Sequence, residues 1–331
     1  MWEVESLSNK EYFLAQKVVT NENDIPIEHI HSFTYIECAS MDGNKLVMEI
    51  MDQAAVYRDD YGIKRGSEIE VTMADVNERG DQVWIEKFIV AKSTSADGML
   101  TVQAFQKDAH LLKEPVTTPR FFVEMQPKDI LAELLPELKI ECDSFERGAT
   151  YHLNAGGTKS RLIRTMARDY GSVAFICRGV MHFKSLKNMD MSEQFKLEQS
   201  NPEEAEHSIA NYSIIGEEAL FERVLNRNYA SWDTVEGFQG GQRSGAMVMV
   251  SVPQAKALNN QHMAIIPILD VELTGNTAFT PLSVCSVLFH KRLPATELDE
   301  SMPEKQIMNR VAHCQRGNRY QCRIELGVRN L

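Results

Sequence analysis

Short stretches in which apolar and polar residues alternate, separated by glycine-containing turns, fill the first third of the sequence. The alternation is regular at 68–72. Asp97-Gly98, a dipeptide typical of two-residue hairpin turns, stands before a further alternating stretch at 99–105. Because a period of two places successive side chains on opposite faces of a strand, residues 1–116 are predicted to form an antiparallel sheet or a small β-barrel.

Beyond residue 116 the apolar residues recur at helical spacing. One helix is predicted to begin at Pro127. A second and clearer helix follows Thr158 or Ser160, either of which could be its N-cap, and ends at Gly171. Its apolar face consists of Leu162, Ile163, Met166 and Tyr170. Three arginines fall on the opposite face: Arg161, Arg164 and Arg168.

Strands are predicted again after the second helix. A turn at Arg178-Gly179 joins the stretches 173–177 and 180–185, so this part of the chain is expected to be α+β. The next segment, 188–208, is polar and acidic, and we expect it to be a connection or a solvated edge.

The β-pattern resumes near residue 209. Strand candidates are 247–252, 265–273, 284–291 and 319–328. The sequence therefore predicts a fold that is α+β and mostly β, with a β-barrel domain at 1–116, an α+β domain at 117–208 and a second β-rich domain at 209–331.

The chain is acidic, with a formal net charge of −12. Residues 1–116 hold 21 Asp and Glu against 11 Lys and Arg, whereas residues 215–331 hold 12 of each. This balance disfavours a protein that grips nucleic acid by neutralising phosphates. The negative charge either serves only to keep the protein soluble or forms a surface along which a polyanion can move without binding.

The six cysteines are scattered and form no C-x-x-C pair, which suits reduced thiols in a cytoplasm. The N-terminus lacks the pattern of a signal peptide, and no apolar run reaches the ~20 residues that span a bilayer. We therefore expect a chain that is made in the cytoplasm and has no membrane anchor.

Motifs that carry chemistry are absent or incomplete. The stretch 155–160 reads AGGTKS, but a phosphate-binding loop requires glycine where Thr158 stands. The nine histidines show no zinc-ligand spacing, and the G-x-S-x-G nucleophile pattern does not occur. The sequence predicts no catalytic residue, no cofactor and no metal, and the chain is not expected to be an enzyme.

One stretch carries a family pattern. The segment 159–176 reads KSRLIRTMARDYGSVAFI, a helix that ends in an acidic residue and a glycine and is followed by an aromatic and β-branched strand. This segment and the strand order of the first third resemble phage late control protein D, contractile-tail baseplate hub proteins and the N-terminal part of type VI secretion spike proteins. The resemblance covers residues 30–215.

The resemblance implies a homotrimer. Each subunit of such a hub brings two barrels similar to the tail tube protein, so 209–331 is expected to form a second small β-barrel. Three subunits then form a pseudo-sixfold ring that joins the tail tube to the central spike and lets DNA pass. The expected partners are the tube protein, the spike protein and baseplate wedge or other hub proteins. The expected location is the baseplate of the virion tail.

Interfaces are the working parts of such a protein. Candidate interface residues are Glu68, Glu70, Arg161, Arg164 and Arg168. The first two are polar positions on a strand of the first barrel, and the arginines form the polar face of the second helix.

Two alternatives stay open. A type VI-like or other contractile-injection spike hub would use the same ring with another payload, but the sequence has no long valine- and glycine-rich β-helix repeat. A cell-wall-degrading tail enzyme would use scattered carboxylates, and a glycan-digestion assay would reveal it.

Overall fold

The computed structural model describes residues 14–74, 83–199, 205–215, 227–241, 245–290 and 302–331. The fold is mostly β with a small helical part, as the sequence predicts. None of the helices in these ranges has the length and apolar character that crossing a bilayer requires.

The first β-rich block, which we call the first barrel, is one sheet of seven strands, and no pairing between its two end strands is seen among the described residues. The strands are β1 (Ala15–Thr20), β2 (Asn23–Ile25), β3 (Ile30–Cys38), β4 (Lys45–Met51), β5 (Glu68–Ala74), β6 (Val83–Ala96) and β7 (Met99–Gln106). They follow the order β3-β4-β7-β6-β5-β1-β2, and every neighbouring pair is antiparallel. Short helices α1 (Val56–Asp59) and α2 (Lys107–Leu111) flank them. The sheet wraps around a core that includes Phe33, Tyr35, Met48, Ile69 and Phe88.

The predicted hairpin between β6 and β7 is confirmed. Asp97 and Gly98 both have positive φ, 51° and 73°, as the two central residues of a type I′ turn must. This turn fixes the register in which β6 and β7 pair.

The middle block combines small sheets and two helices. Its elements are β8 (Arg120–Met125), α3 (Pro127–Leu134), β9 (Lys139–Cys142), β10 (Ala149–Leu153), α4 (Lys159–Asp169), β11 (Ser172–Cys177) and β12 (Val180–Ser185). Thr158 is the N-cap of α4, because its side chain accepts a hydrogen bond from the Arg161 backbone N–H at 3.2 Å. The buried faces of both helices pack on the strands around Phe122, Met181 and Phe183.

The second barrel is closed. Its strands are β13 (Phe195–Gln199), β14 (His207–Ile214), β18 (Ala264–Thr274), β19 (Val284–Leu288), β20 (Lys305–Arg316) and β21 (Arg319–Asn330). They follow the order β19-β13-β14-β18-β21-β20, and β20 pairs with β19 to complete the circle. A small sheet lies between β14 and β18 in sequence: β15 (Arg227–Asp233), β16 (Gly237–Gly240) and β17 (Ala246–Met249). A 3₁₀ helix, Ala255–Asn260, follows it.

The expectation that 188–208 is a connection or a solvated edge is wrong, because β13 lies within it and pairs on both sides. Phe195 and Leu197 alternate with polar residues, and Leu197 is fully buried in the second barrel. β13 pairs in parallel with both β14 and β19, so no hairpin turn marks it in the sequence. The domain boundaries at 116 and 208 stay a prediction.

Strand β20 joins the two barrels. Its first residues pair with β19, and from Arg310 to Arg316 the same edge pairs with β3, where Arg310 lies opposite Cys38 and Arg316 opposite Ser32. Its other edge pairs with β21 throughout. The barrels therefore share one continuous sheet of 13 strands, and we call the β3–β20 pairing the seam.

Replacing Ala312 by proline tests whether the strand pairing at the seam is important for the stability of the fold. Ala312 lies opposite Ile36 on one side and Arg323 on the other, so proline removes a ladder hydrogen bond in the middle of the sheet. We expect the free energy of unfolding, measured by urea denaturation, to fall by about 1–3 kcal/mol or more, the cost of a buried unpaired polar group. Ala210→Pro, at an exposed bulge of β14, is the matched control with little expected loss. Equal losses would contradict a central seam.

Candidate assembly site

Glu68 and Glu70 lie on the outward face of β5, where the alternation places them. Each already has a basic partner: Lys87 Nζ lies 3.2 Å from Glu70 Oε2 and 3.7 Å from Glu68 Oε1, and Lys107 Nζ also contacts Glu68. The hydrogen bond that Lys87 donates to the Glu70 carboxylate raises the pKa of Lys87. Because these ion pairs are partly exposed, they contribute little to stability. The lysines also balance the charge of the two glutamates, so this part of the face is accessible for contact but nearly neutral. Its role as an interface stays a prediction.

The three arginines of α4 are exposed, opposite the buried Leu162, Ile163 and Met166. Arg164 Nη2 lies 2.8 Å from Asp42 Oδ1 in the β3–β4 loop of the first barrel. One arginine of the face thus connects the middle block to the first barrel within the chain. A contact of Arg161 and Arg168 with another subunit stays a prediction.

A buried ion cluster, which sequence reasoning missed, lies where the two barrels and the middle block meet. The Glu37 carboxylate, on β3, is fully buried. Arg178, in the β11–β12 turn, donates to it from Nε at 2.9 Å and from Nη2 at 3.0 Å. His313 Nε2, on β20, lies 3.2 Å from Glu37 Oε2. One carboxylate therefore bonds with two other parts of the chain, and we call Glu37, Arg178 and His313 the junction.

The junction is charged at neutral pH. Burial by itself raises the pKa of Glu37, but the Arg178 charge and the His313 hydrogen bond override it and lower that pKa to about 2. Burial lowers the pKa of His313, yet the neighbouring Cys322 and Glu37 raise it to about 9. His313 Nδ1 also lies 2.7 Å from the Tyr320 hydroxyl. Since a buried carboxylate needs compensation by paired charges, these contacts fix the three parts against one another.

Arg178 occupies an unusual backbone position. Its φ is 48° and that of Gly179 is 76°, a turn conformation that favours Asn, Asp or Gly at both places. Its guanidinium also donates to the Thr277 carbonyl at 2.8 Å and lies over the Trp84 ring, 4.2 Å from the centroid. An arginine at the first position of a two-residue turn was the one local signal, and from the sequence alone it predicted only a turn.

A second carboxyl group, that of Glu86, is buried beside the junction. Asn44 Nδ2 donates to its Oε1 at 3.0 Å, and Gln106 Nε2 donates to the same atom. Within the described part of the chain its Oε2 has no hydrogen-bond partner. Burial, with the Glu37 charge adding to it, raises the pKa of Glu86 to about 7. Glu86 is therefore partly protonated near neutral pH.

The arrangement holds charges inside the protein and does not present them to a ligand. Glu37 and His313 are almost completely shielded from solvent. Among the residues that the structure describes, no group of three or more His, Cys, Asp or Glu side chains could hold a metal ion. The junction can fix the positions of the first barrel, the second barrel and the middle block relative to one another.

Arg178→Met tests the junction. The variant keeps an apolar stem but leaves the Glu37 carboxylate buried with His313 as its remaining cationic partner. We expect a loss of about 3–5 kcal/mol in the free energy of unfolding, the typical result of breaking a buried ion pair from one side. Arg161→Met, on the exposed face of α4, is the control and should change little. Comparable urea midpoints for both variants would refute the assignment.

Glu86→Gln tests the raised pKa. The ordinary pKa of the carboxyl is 4.5 and the folded value is about 7, so the wild type loses stability as pH rises from 4.5 to 7 and is level above it. The glutamine variant lacks this loss, and its stability relative to wild type should grow by on the order of 3 kcal/mol across that window. Urea denaturation at a series of pH values measures the difference. The exposed Glu114→Gln serves as control, and a difference that is independent of pH would contradict the expectation.

No family model matches this sequence, and no curated protein matches it. Solved structures do match over nearly the whole chain. A tail protein from Neisseria meningitidis MC58 is 11% identical, with a TM-score of 0.65 over 94% of this chain and 95% of that one. The 43 kDa tail protein of prophage MuSo2 from Shewanella oneidensis is 10% identical, with a TM-score of 0.65 over 94% of this chain and 97% of that one.

A third match comes from a secretion system. The E. coli c3393 protein, described as a component of the type VI secretion system with structural similarity to the T4 tail proteins gp27 and gp5, is 10% identical. The TM-score is 0.52 over 95% of this chain and 79% of that one. At these identities the likeness shows a common architecture: this chain has the fold of these phage tail and type VI secretion proteins.

Proposed function

We propose that this chain is a structural subunit of a phage tail, located at the baseplate hub, and that three copies close into a ring. The ring joins the tail tube to the central spike and lets DNA pass. The observation that carries the proposal is the seam: β20 pairs with β3, so one chain holds two barrels side by side in a single sheet. Three such chains supply six barrels, which suits a hexameric tube on one side and a threefold spike on the other.

The junction supports this role. A subunit that transmits load between tube and spike has to keep its two barrels in one relative position. Glu37, Arg178 and His313 bring charges from three parts of the chain into one buried, hydrogen-bonded cluster. Moving one part would leave a charge buried without its partner, which is costly.

The charge distribution suits passage of DNA. The acidic residues are concentrated in 1–116, and the last third is neutral. A lumen lined by the first barrel would repel phosphates and keep the polyanion from adhering.

The proposed partners are further copies of this chain, the tail tube protein, the central spike protein and baseplate wedge or other hub proteins. The proposed location is the virion tail, after synthesis in the host cytoplasm. A hub of a type VI-like or other contractile injection spike is the second candidate, and the likeness to the c3393 protein favours it. The two candidates share the ring and differ in what passes through it.

The mass of the purified protein in solution tests the ring. Light scattering coupled to gel filtration should give three times the chain mass of 37.6 kDa, with the population of trimer increasing with concentration. The Arg178→Met variant gives an internal comparison, because loosening the junction should weaken the trimer as well. A wild-type protein that stays monomeric at the highest attainable concentration would contradict the proposal.

A further inference from the structure

The small sheet β15–β17 carries large apolar side chains on its outer face. Asn228, Ala230 and Trp232 are every second residue of β15, so they point to the same face. Their partners on the neighbouring strands are Met247, Met249 and Phe238, respectively. All four large side chains therefore share one face of the sheet. Each has more than half of its surface exposed, as does Val235 in the turn between β15 and β16. We call Trp232, Val235, Phe238, Met247 and Met249 the apolar patch.

The other face of the small sheet is already occupied by the chain itself. Ser231 is buried and Tyr229 is half-buried, and β15 contacts the 3₁₀ helix Ala255–Asn260. The sheet is thus anchored through one face. On the other face Ala230 is fully buried, but the four large side chains stay exposed. Asp233, which accepts hydrogen bonds from the backbone N–H groups of Val235 and Glu236, orders the turn at its end. The patch is part of an ordered sheet with defined pairing.

The size of the patch is that of an interface. A large side chain contributes about 150–250 Å² when fully exposed, so the five residues leave on the order of 600 Å² of apolar surface uncovered. A standard protein interface buries about 800 Å² on each partner, and tryptophan, phenylalanine and methionine are enriched in such interfaces. Singly exposed apolar residues are ordinary, but a contiguous patch of this area marks a binding surface.

We infer that the apolar patch packs against a second copy of this chain. This inference rests on the proposed ring, in which every subunit needs a surface for its neighbour. Electrostatics are compatible with a copy as the occupant. In a threefold ring every contact is head-to-tail, so the patch of one copy meets a different surface of the next. The patch lies in the third with 12 acidic and 12 basic residues, so it can meet a neighbour of net charge −12 without strong like-charge repulsion.

Trp232 is expected to be the main anchor of the contact. It is the largest side chain in the patch, 68% exposed, and it lies beside Phe238. Tryptophan truncations at interface centres commonly cost more than a tenfold loss in affinity.

The experiment compares the mass in solution of wild type, Trp232→Ser/Phe238→Ser and the control Phe121→Ser/Val123→Ser, over a dilution series. The control removes two apolar side chains of β8 that are equally exposed. We expect trimer for wild type and control, and a dissociation constant at least tenfold higher for the patch variant, with unchanged circular dichroism. Met247→Ser/Met249→Ser, on the neighbouring strand, is a second variant in case the first does not fold.

The outcomes separate this inference from the proposed function. A trimeric wild type with patch variants that trimerise equally well would overturn the inference and leave the ring standing. A monomeric wild type would overturn both. If the patch variants lose the trimer while wild type and control keep it, the result supports both the ring and the inference.

Discussion

The carboxylate of Glu37 cannot be where it is without Arg178 and His313. A buried anion is stable only when charges and hydrogen-bond donors surround it, and here they come from the β11–β12 turn and from β20, 141 and 276 residues further along the chain. The relative placement of the two barrels and the middle block follows from this requirement. The seam adds to it, because β20 is at once a strand of the closed second barrel and the neighbour of β3 in the first.

Stability and arrangement have different sources in this molecule. Each of the three blocks has its own apolar core, built from the buried faces of its strands and helices. Between the blocks there are apolar contacts, such as Met41 in the core of the middle block, and charged ones, the junction and the Arg164–Asp42 pair. Apolar contacts tolerate small displacements, whereas a buried ion cluster loses its compensation when its members separate. The proposed ring needs a subunit whose two barrels keep one relative position.

The amino-acid sequence predicted those features that depend on near neighbours. The Asp97-Gly98 hairpin, the alternating strand β5 and the helix after Thr158 follow from local periodicity and turn chemistry. β13 was missed because its partners are parallel strands that come later in the chain. The junction was missed because Glu37, Arg178 and His313 are far apart in sequence and each looks ordinary alone. Likewise, nothing local to Glu68 indicates that Lys107 lies beside it.

The central claim is that two barrels fused along the seam recur around an open axis. Electron microscopy of the purified protein in end-on views tests it most directly. We expect particles with threefold symmetry, six lobes of similar size and a clear central opening. End-on views without an opening, or particles with only twofold symmetry, would contradict it.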